Sequence, residues 1–165
     1  MEINELMMLA DEDIDYGSLS VDTLKELALG DELFIATSAL GELSQRNGSV
    51  AASTAWEILL KLRGDCYLQA AALETIFELD QEKALDYIRE QAPKCNTYIL
   101  NSVLEIMIEN ESVFRSKNVL PVVSIVIQRL KELDSTTQYP EPEVRDNFLN
   151  MYNDITNLQV ADALT

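Results

Sequence analysis

Histidine is absent from this chain of 165 residues, and cysteine occurs twice, proline four times and glycine five times. Without histidine there is no Ser–His–Asp triad, no imidazole general base and no histidine-bearing metal site, so most hydrolase and zinc chemistry is excluded. The two thiols, Cys66 and Cys95, stand 29 positions apart, which is no metal-ligand spacing. They read as free cysteines acting as small buried hydrophobes. Met1 to Ala10 is acidic and has no basic n-region, so the reading is a cytoplasmic chain without a secretory leader. A long apolar run is also missing. The best candidate, Val119 to Ile127, is interrupted by Pro121 and Ser124 and falls far short of the roughly 20 residues of a membrane span. No glycine-rich loop accompanies a lysine or arginine cluster, so neither a phosphate cradle nor a dinucleotide fingerprint is present.

Low Gly and Pro together with 47% hydrophobic residues describe a folded chain. At this length about 68–70% of the unfolded surface can be buried, enough for one domain without a metal or disulfide. Against 12 basic residues stand 29 acidic ones, a net charge of -17. That field repels phosphate backbones and anionic membranes, so direct binding to nucleic acid or lipid is not expected. It is distributed: residues 1–30 carry 8 acids and 1 base, 31–90 carry 11 and 5, and 91–165 carry 10 and 6. Charge of this sign steers association with a basic partner, and it also keeps a protein soluble and monomeric.

Apolar residues recur at helical spacing, as in Ala36, Ala39, Leu40 and Leu43, or Val144, Phe148, Tyr152, Ile155 and Leu158, and strand-like alternation is absent. Ser20 and Asp31 can cap helix starts. Gly48-Ser49 and Gly64-Asp65 can each end one helix and cap the next, and Asn118 can cap a helix with Pro121 in its first turn. Pro93 stops a helix, and Pro142 opens one after the loop Tyr139-Pro140-Glu141. The expected helices are 2–10, 21–29, 32–46, 50–63, 66–79, 81–92, 97–110, 119–133 and 142–158. The fold class is all-α.

Three of these helices share a register. Ser38-Ala39-Leu40-Gly41-Glu42-Leu43, Ala71-Ala72-Leu73-Glu74-Thr75-Ile76 and Ser102-Val103-Leu104-Glu105-Ile106-Met107 each run small, small or branched, Leu, x, x, large apolar. Leu40, Leu73 and Leu104 lie 33 and 31 residues apart, with a second helix inside each interval. Such a period marks an α-solenoid, the alternative being an irregular helical bundle. Ala36, Ala39, Leu40, Gly41 and Leu43 resemble the first helix of the HEAT-like repeats of the armadillo type, although Glu32 and Leu33 stand where that family has Val-Arg. Val144-Arg145 supplies the pair near the C-terminus, where Phe148 and Tyr152 depart from the small-residue pattern. The resemblance covers 31–133 and, more loosely, extends to 158. It implies an α-α superhelix within one domain, with an N-terminal helical cap over 1–30, repeats over 31–133 and a capping helix over 142–158. It further implies a binding role, and it transfers no catalytic residue or cofactor.

Glu82, Asp86 and Glu90 fall at i, i+4 and i+8, which aligns three carboxylates on one helix face with Tyr87 beside them. The row is either a docking stripe for lysines and arginines or a solvated face flanked by Lys83 and Arg89. Asp11, Glu12, Asp13 and Asp15 imitate the start of a calcium loop, but Tyr16 occupies the position that needs glycine and Asp22 the one that needs glutamate. A flexible acidic connector, able to touch a basic partner, is the preferred reading. Trp56 shares a helix face with Ala52, Leu59 and Leu60 and reads as core. No carboxylate pair stands out by an apolar setting that would separate two pKa values.

Three functions remain in view. The first is a non-catalytic module whose negative surface holds a basic protein; in general character the chain is similar to the immunity proteins of bacterial toxin systems, acidic antitoxins that neutralise a basic toxin such as a nuclease. The second is a HEAT-like scaffold or assembly adaptor with charge serving solubility. The third is an enzyme using carboxylates or a thiolate without histidine.

Overall fold

The structure, a computed structural model, describes residues 3–133 and 137–155. Every regular element among them is helical: α1 (Ile3–Leu6), 3-10 turns at Asp11–Asp13 and Tyr16–Ser18, α2 (Val21–Ala28), α3 (Leu33–Arg46), α4 (Gly48–Leu60), α5 (Cys66–Leu79), α6 (Gln81–Gln91), α7 (Thr97–Glu109), α8 (Glu111–Phe114), α9 (Leu120–Glu132) and α10 (Pro142–Met151). The all-α expectation holds. Residue 2 of the first expected helix and residues 156–158 of the last lie outside the described residues, and the first helix stops at Leu6. The short helix α8 was not expected from the periodicity.

Helix boundaries follow side-chain chemistry at the caps. Ser20 Oγ accepts from the Thr23 amide at 3.1 Å, and Asp65 accepts from the amides of Tyr67 and Leu68 at 3.1 and 3.0 Å. Three expected caps are displaced. Asn47 rather than Ser49 caps α4, its Oδ1 accepting from the Val50 amide at 3.2 Å, because an amide side chain two residues earlier satisfies an orphan donor of the first turn. Glu32 occupies the cap position of α3 and Val119 that of α9, neither with a side-chain cap bond, so Asp31 and Asn118 do not perform that role. Pro121 and Pro142 do stand in first helical turns, where the missing N–H is an orphan in any case.

The chain divides at Ala84 and Leu85 into two compact units, and the expected repeat segment 31–133 crosses that division. In the first unit α2 packs on α3 and α4, α3 on α4 and α5, and α4 on α5. Ala36, Ala39, Leu40, Leu43, Ala51, Ala55, Ile58, Leu68, Ala72, Leu73 and Ile76 form its interior. The alanines let helix axes approach closely while the leucines fill the remaining space. In the second unit α7 lies against α10. Asn101 Oδ1 accepts from the Glu141 amide at 2.8 Å, and Tyr152 Oη donates to the Met107 carbonyl at 2.9 Å, so the two helices run in the same sense. Arg115 ties α8 to the end of α10 by ion pairs to Glu111 at 2.6 Å and Asp154 at 3.0 Å, with its guanidinium over the Tyr152 ring. The three helices that share a sequence register bury the same positions: Ala39, Leu40 and Leu43; Ala72, Leu73 and Ile76; Val103, Leu104 and Met107.

Candidate functional site

Helix α6 buries Ala84 and Ile88, one turn apart, and this turns Glu82, Asp86 and Glu90 to solvent as their spacing requires. The row is less bare than its sequence suggests. Arg89 Nη1 lies 2.5 Å from Asp86, Lys94 Nζ 3.7 Å from Glu90 and Lys83 Nζ 3.5 Å from Asp80. Such exposed pairs contribute little stability, but each offsets one negative charge of the face a partner would meet. Glu82 is the member of the row without an ion pair among the described residues. Tyr87 is half-buried and does not stand out as a platform beside the carboxylates. Its phenol is raised above the ordinary range by burial, then by Cys95 and Glu90.

The acidic segment is not a loose connector. Asp11–Asp13 and Tyr16–Ser18 form 3-10 turns separated by the buried Ile14. Tyr16 Oη donates to Asp11 Oδ1 at 2.6 Å, and Arg46 Nη1 donates to the Leu19 carbonyl at 2.8 Å and to those of Tyr16 and Gly17 at 3.4 Å. A charged donor at the end of α3 collects three carbonyls of the turn, which is what holds the segment against that helix. Burial, then the bond to Asp11 and its charge, push the Tyr16 phenol far above its usual value. Glu12, Asp13 and Asp15 stay exposed. Among the described residues no group of three or more Asp, Glu or Cys side chains is placed to hold a metal ion.

Trp56 is half-buried, with Lys83 Nζ 5.2 Å from its ring centroid, and Leu60 is exposed. The face of α4 that enters the core is instead Ala51, Thr54, Ala55, Ile58 and Leu59. Both cysteines are free and half-buried rather than fully enclosed. Burial pushes the Cys95 thiol up to about 11 against the opposing charge of Arg129, so it stays protonated and non-nucleophilic near neutral pH. Glu105, on α7, is raised by burial, then by Glu141 and Glu109, while a bond from Asn101 opposes the shift. Its charged neighbours are themselves carboxylates, and no lowered partner completes an acid–base pair there.

Two open grooves accompany these groups. One, of about 210 Å³, runs between α3 and α5 over Thr37, Gly41, Ala71 and Thr75, with Glu74 and Glu78 on its wall. The other, of about 560 Å³ in the second unit, passes Pro93, Ser124, Gln128 and Arg129. Sequence reasoning missed one feature altogether, the exposed apolar side chains Phe34, Leu60, Leu62 and Tyr67 of the first unit. Phe34 was readable, because the buried set Ile35, Ala36, Ala39, Leu40 and Leu43 leaves position 34 on the outer face. Leu62 was not, since its orientation depends on how α4 ends. Comparison of the chain with protein-family models, with curated proteins and with solved structures returns no match.

Proposed function

We infer that the chain is a non-catalytic protein-binding module whose negative surface holds a basic protein, its sharpest form being an immunity protein that neutralises a basic toxin. One observation carries the reading. Residues 1–84, the first unit, hold 17 of the 29 acids and only 5 of the 12 bases. Four of those bases, Arg46, Lys61, Arg63 and Lys83, are already paired with just three carboxylates, Glu42, Glu57 and Asp80. The remaining acids present a field that accelerates encounter with a cationic surface and resists polyanions. A HEAT-like stack belongs to the same reading. It is supported by the common burial register of α3, α5 and α7, and by packing of α2 on α4 and of α3 on α5 within the first unit. A cytoplasmic setting, with free thiols kept reduced, completes it.

Capture from native extract at low and high salt is the experiment, with Glu12→Lys/Asp13→Lys/Asp15→Lys and Glu82→Lys/Asp86→Lys/Glu90→Lys alongside. One basic protein, held at low salt, weakened at high salt and lost from either reversed variant, is the expected result. The assembly-adaptor reading has its own support in the exposed apolar side chains of the first unit. Capture of a neutral or acidic assembly that ignores salt and both variants decides for it.

A further inference from the structure

Every large apolar side chain that stands exposed among the described residues belongs to the first unit. Four of them collect at one end of it: Phe34 (82% exposed), Leu60 (61%), Leu62 (69%) and Tyr67 (58%). There the start of α3 meets the turn joining α4 to α5. Arg63 Nη1 donates to the Leu29 carbonyl at 3.2 Å, and Gln69 Nε2 donates to the Arg63 carbonyl at 3.3 Å. Leu33 and Leu68 close over Gly64 between them, their Cδ2 atoms 3.1 and 2.6 Å from where a Cβ would stand.

Leu62 is the informative member. Helix α4 ends in a double closure, the Arg63 amide donating to the Ile58 carbonyl at 3.0 Å and the Leu62 amide to the Leu59 carbonyl at 3.3 Å. This motif puts the residue after the C-cap in the left-handed region, where glycine is usual. Here it is leucine, at φ 50°. Its Cβ is unfavourable in that conformation, and burial does not offset the penalty, because the side chain points to water. An apolar group held out at conformational cost, with most of its surface left in water, points to something outside the chain.

The surroundings decide what that is. Asp31 and Glu32 lie exposed just ahead of Phe34, and Glu74 and Glu78 wall the α3/α5 groove about two and three turns beyond Tyr67 along α5. The two local cations, Lys61 at 2.9 Å and Arg63 at 3.3 Å, share the single carboxylate of Glu57, and the one positive charge this leaves is outnumbered by Asp31, Glu32 and Asp65. A second copy of the chain or an anionic lipid surface would bring like charge to this end. We propose that Phe34, Leu60, Leu62 and Tyr67 form a docking face for the apolar anchors of a lysine- and arginine-rich segment of a basic protein partner. The acids around the face meet the flanking cations, and the apolar side chains supply the desolvated centre that sets dissociation. This rests on the basic-partner reading above and narrows it to one surface.

The probe is a fluorescein-labelled amphipathic Lys/Leu peptide of about 18 residues, long enough for an i, i+3, i+4, i+7 apolar stripe. Glu/Leu and Lys/Ser peptides of the same length serve as comparisons, and binding is read by anisotropy. The Lys/Leu peptide binds wild type, and the other two bind at least about tenfold more weakly. Phe34→Ser and Leu62→Gly each raise Kd about tenfold or more, while Leu79→Ser, beside Gly48 at the other end of α5, leaves it unchanged. Both substituted side chains are exposed, so the variants fold, and Leu62→Gly melts above wild type. A variant that is more stable yet binds less well separates recognition from folding. Equal binding of the Lys/Leu peptide by wild type and both variants overturns the proposal, as does equal binding of the Glu/Leu peptide. Dimerisation, or binding to anionic vesicles, that the two substitutions abolish also overturns it. If a basic protein is captured but ignores Phe34→Ser and Leu62→Gly, the face is wrong and the partner reading survives; if no basic protein is captured at all, the partner reading itself has failed.

Discussion

Two glycine-to-alanine substitutions in the first unit are expected to shift stability in opposite directions. Gly64 sits at φ +66°, and an added Cβ would lie 2.6 Å from Leu68 Cδ2 and 3.1 Å from Leu33 Cδ2. Ordinary carbon–carbon contact is about 3.5–4.0 Å, so Leu68 would have to retreat by about 1 Å. It is fully buried and has nowhere to go. A left-handed alanine costs about 1–2 kcal/mol, and overpacking adds about 1–3 kcal/mol. The stiffer unfolded chain returns about 0.4–1 kcal/mol. Gly64→Ala is therefore destabilised by about 2–4 kcal/mol, or about 5–15 °C in Tm. Gly41 lies inside α3, and a Cβ there would meet nothing within 4 Å. Gly41→Ala should gain about 0.5–1 kcal/mol from helix propensity alone. Thermal and urea denaturation followed by circular dichroism measures both. A Gly64→Ala variant that melts at or above wild type would refute the argument, since neither the left-handed turn nor the Leu68 contact could then be as described.

Replacing Leu62 by glycine relieves its left-handed Cβ and should stabilise by about 0.5–1 kcal/mol net of the looser unfolded chain, read as a higher midpoint in urea. Tyr152→Phe deletes the bond from a fully buried hydroxyl to the Met107 carbonyl and should cost about 1 kcal/mol, a fall of about 2–4 °C in Tm. In wild type the same phenol, raised to about 12 by burial and then by Glu111, should stay protonated on ultraviolet titration at pH values where an exposed tyrosine ionises. Glu105 is raised in the folded state, so its folded form prefers the proton: the associated stability is present at low pH and lost as pH rises through the folded pKa. Glu105→Gln should accordingly be more stable than wild type at pH 7, with the difference closing as pH falls below the ordinary carboxylate range. A Tm difference independent of pH would contradict that assignment.

The helical period was readable because burial demands it: a helix that packs on neighbours on one side repeats its apolar residues every three to four positions, and α3, α5 and α7 do so in a common register. Composition likewise determined the sign of the field and the absence of imidazole chemistry, since both are sums over residues and do not depend on where those residues lie. Placement needed the tertiary structure. Spacing put Glu82, Asp86 and Glu90 on one face, but only the folded chain showed Asp86 and Glu90 drawn into pairs with Arg89 and Lys94. Sequence distance said nothing of Arg46 reaching the Tyr16 to Leu19 carbonyls, which turned an expected loose connector into a held segment. Leu60 was expected on the apolar face of its helix with Trp56, and nothing in the sequence marked Leu62 as exposed. Leu60 faces solvent because the buried face of α4 is set by Ala51, Ala55, Ile58 and Leu59, and Leu62 because α4 ends by hydrogen bonds that reverse the chain there; both depend on neighbours far away in sequence or on that closure.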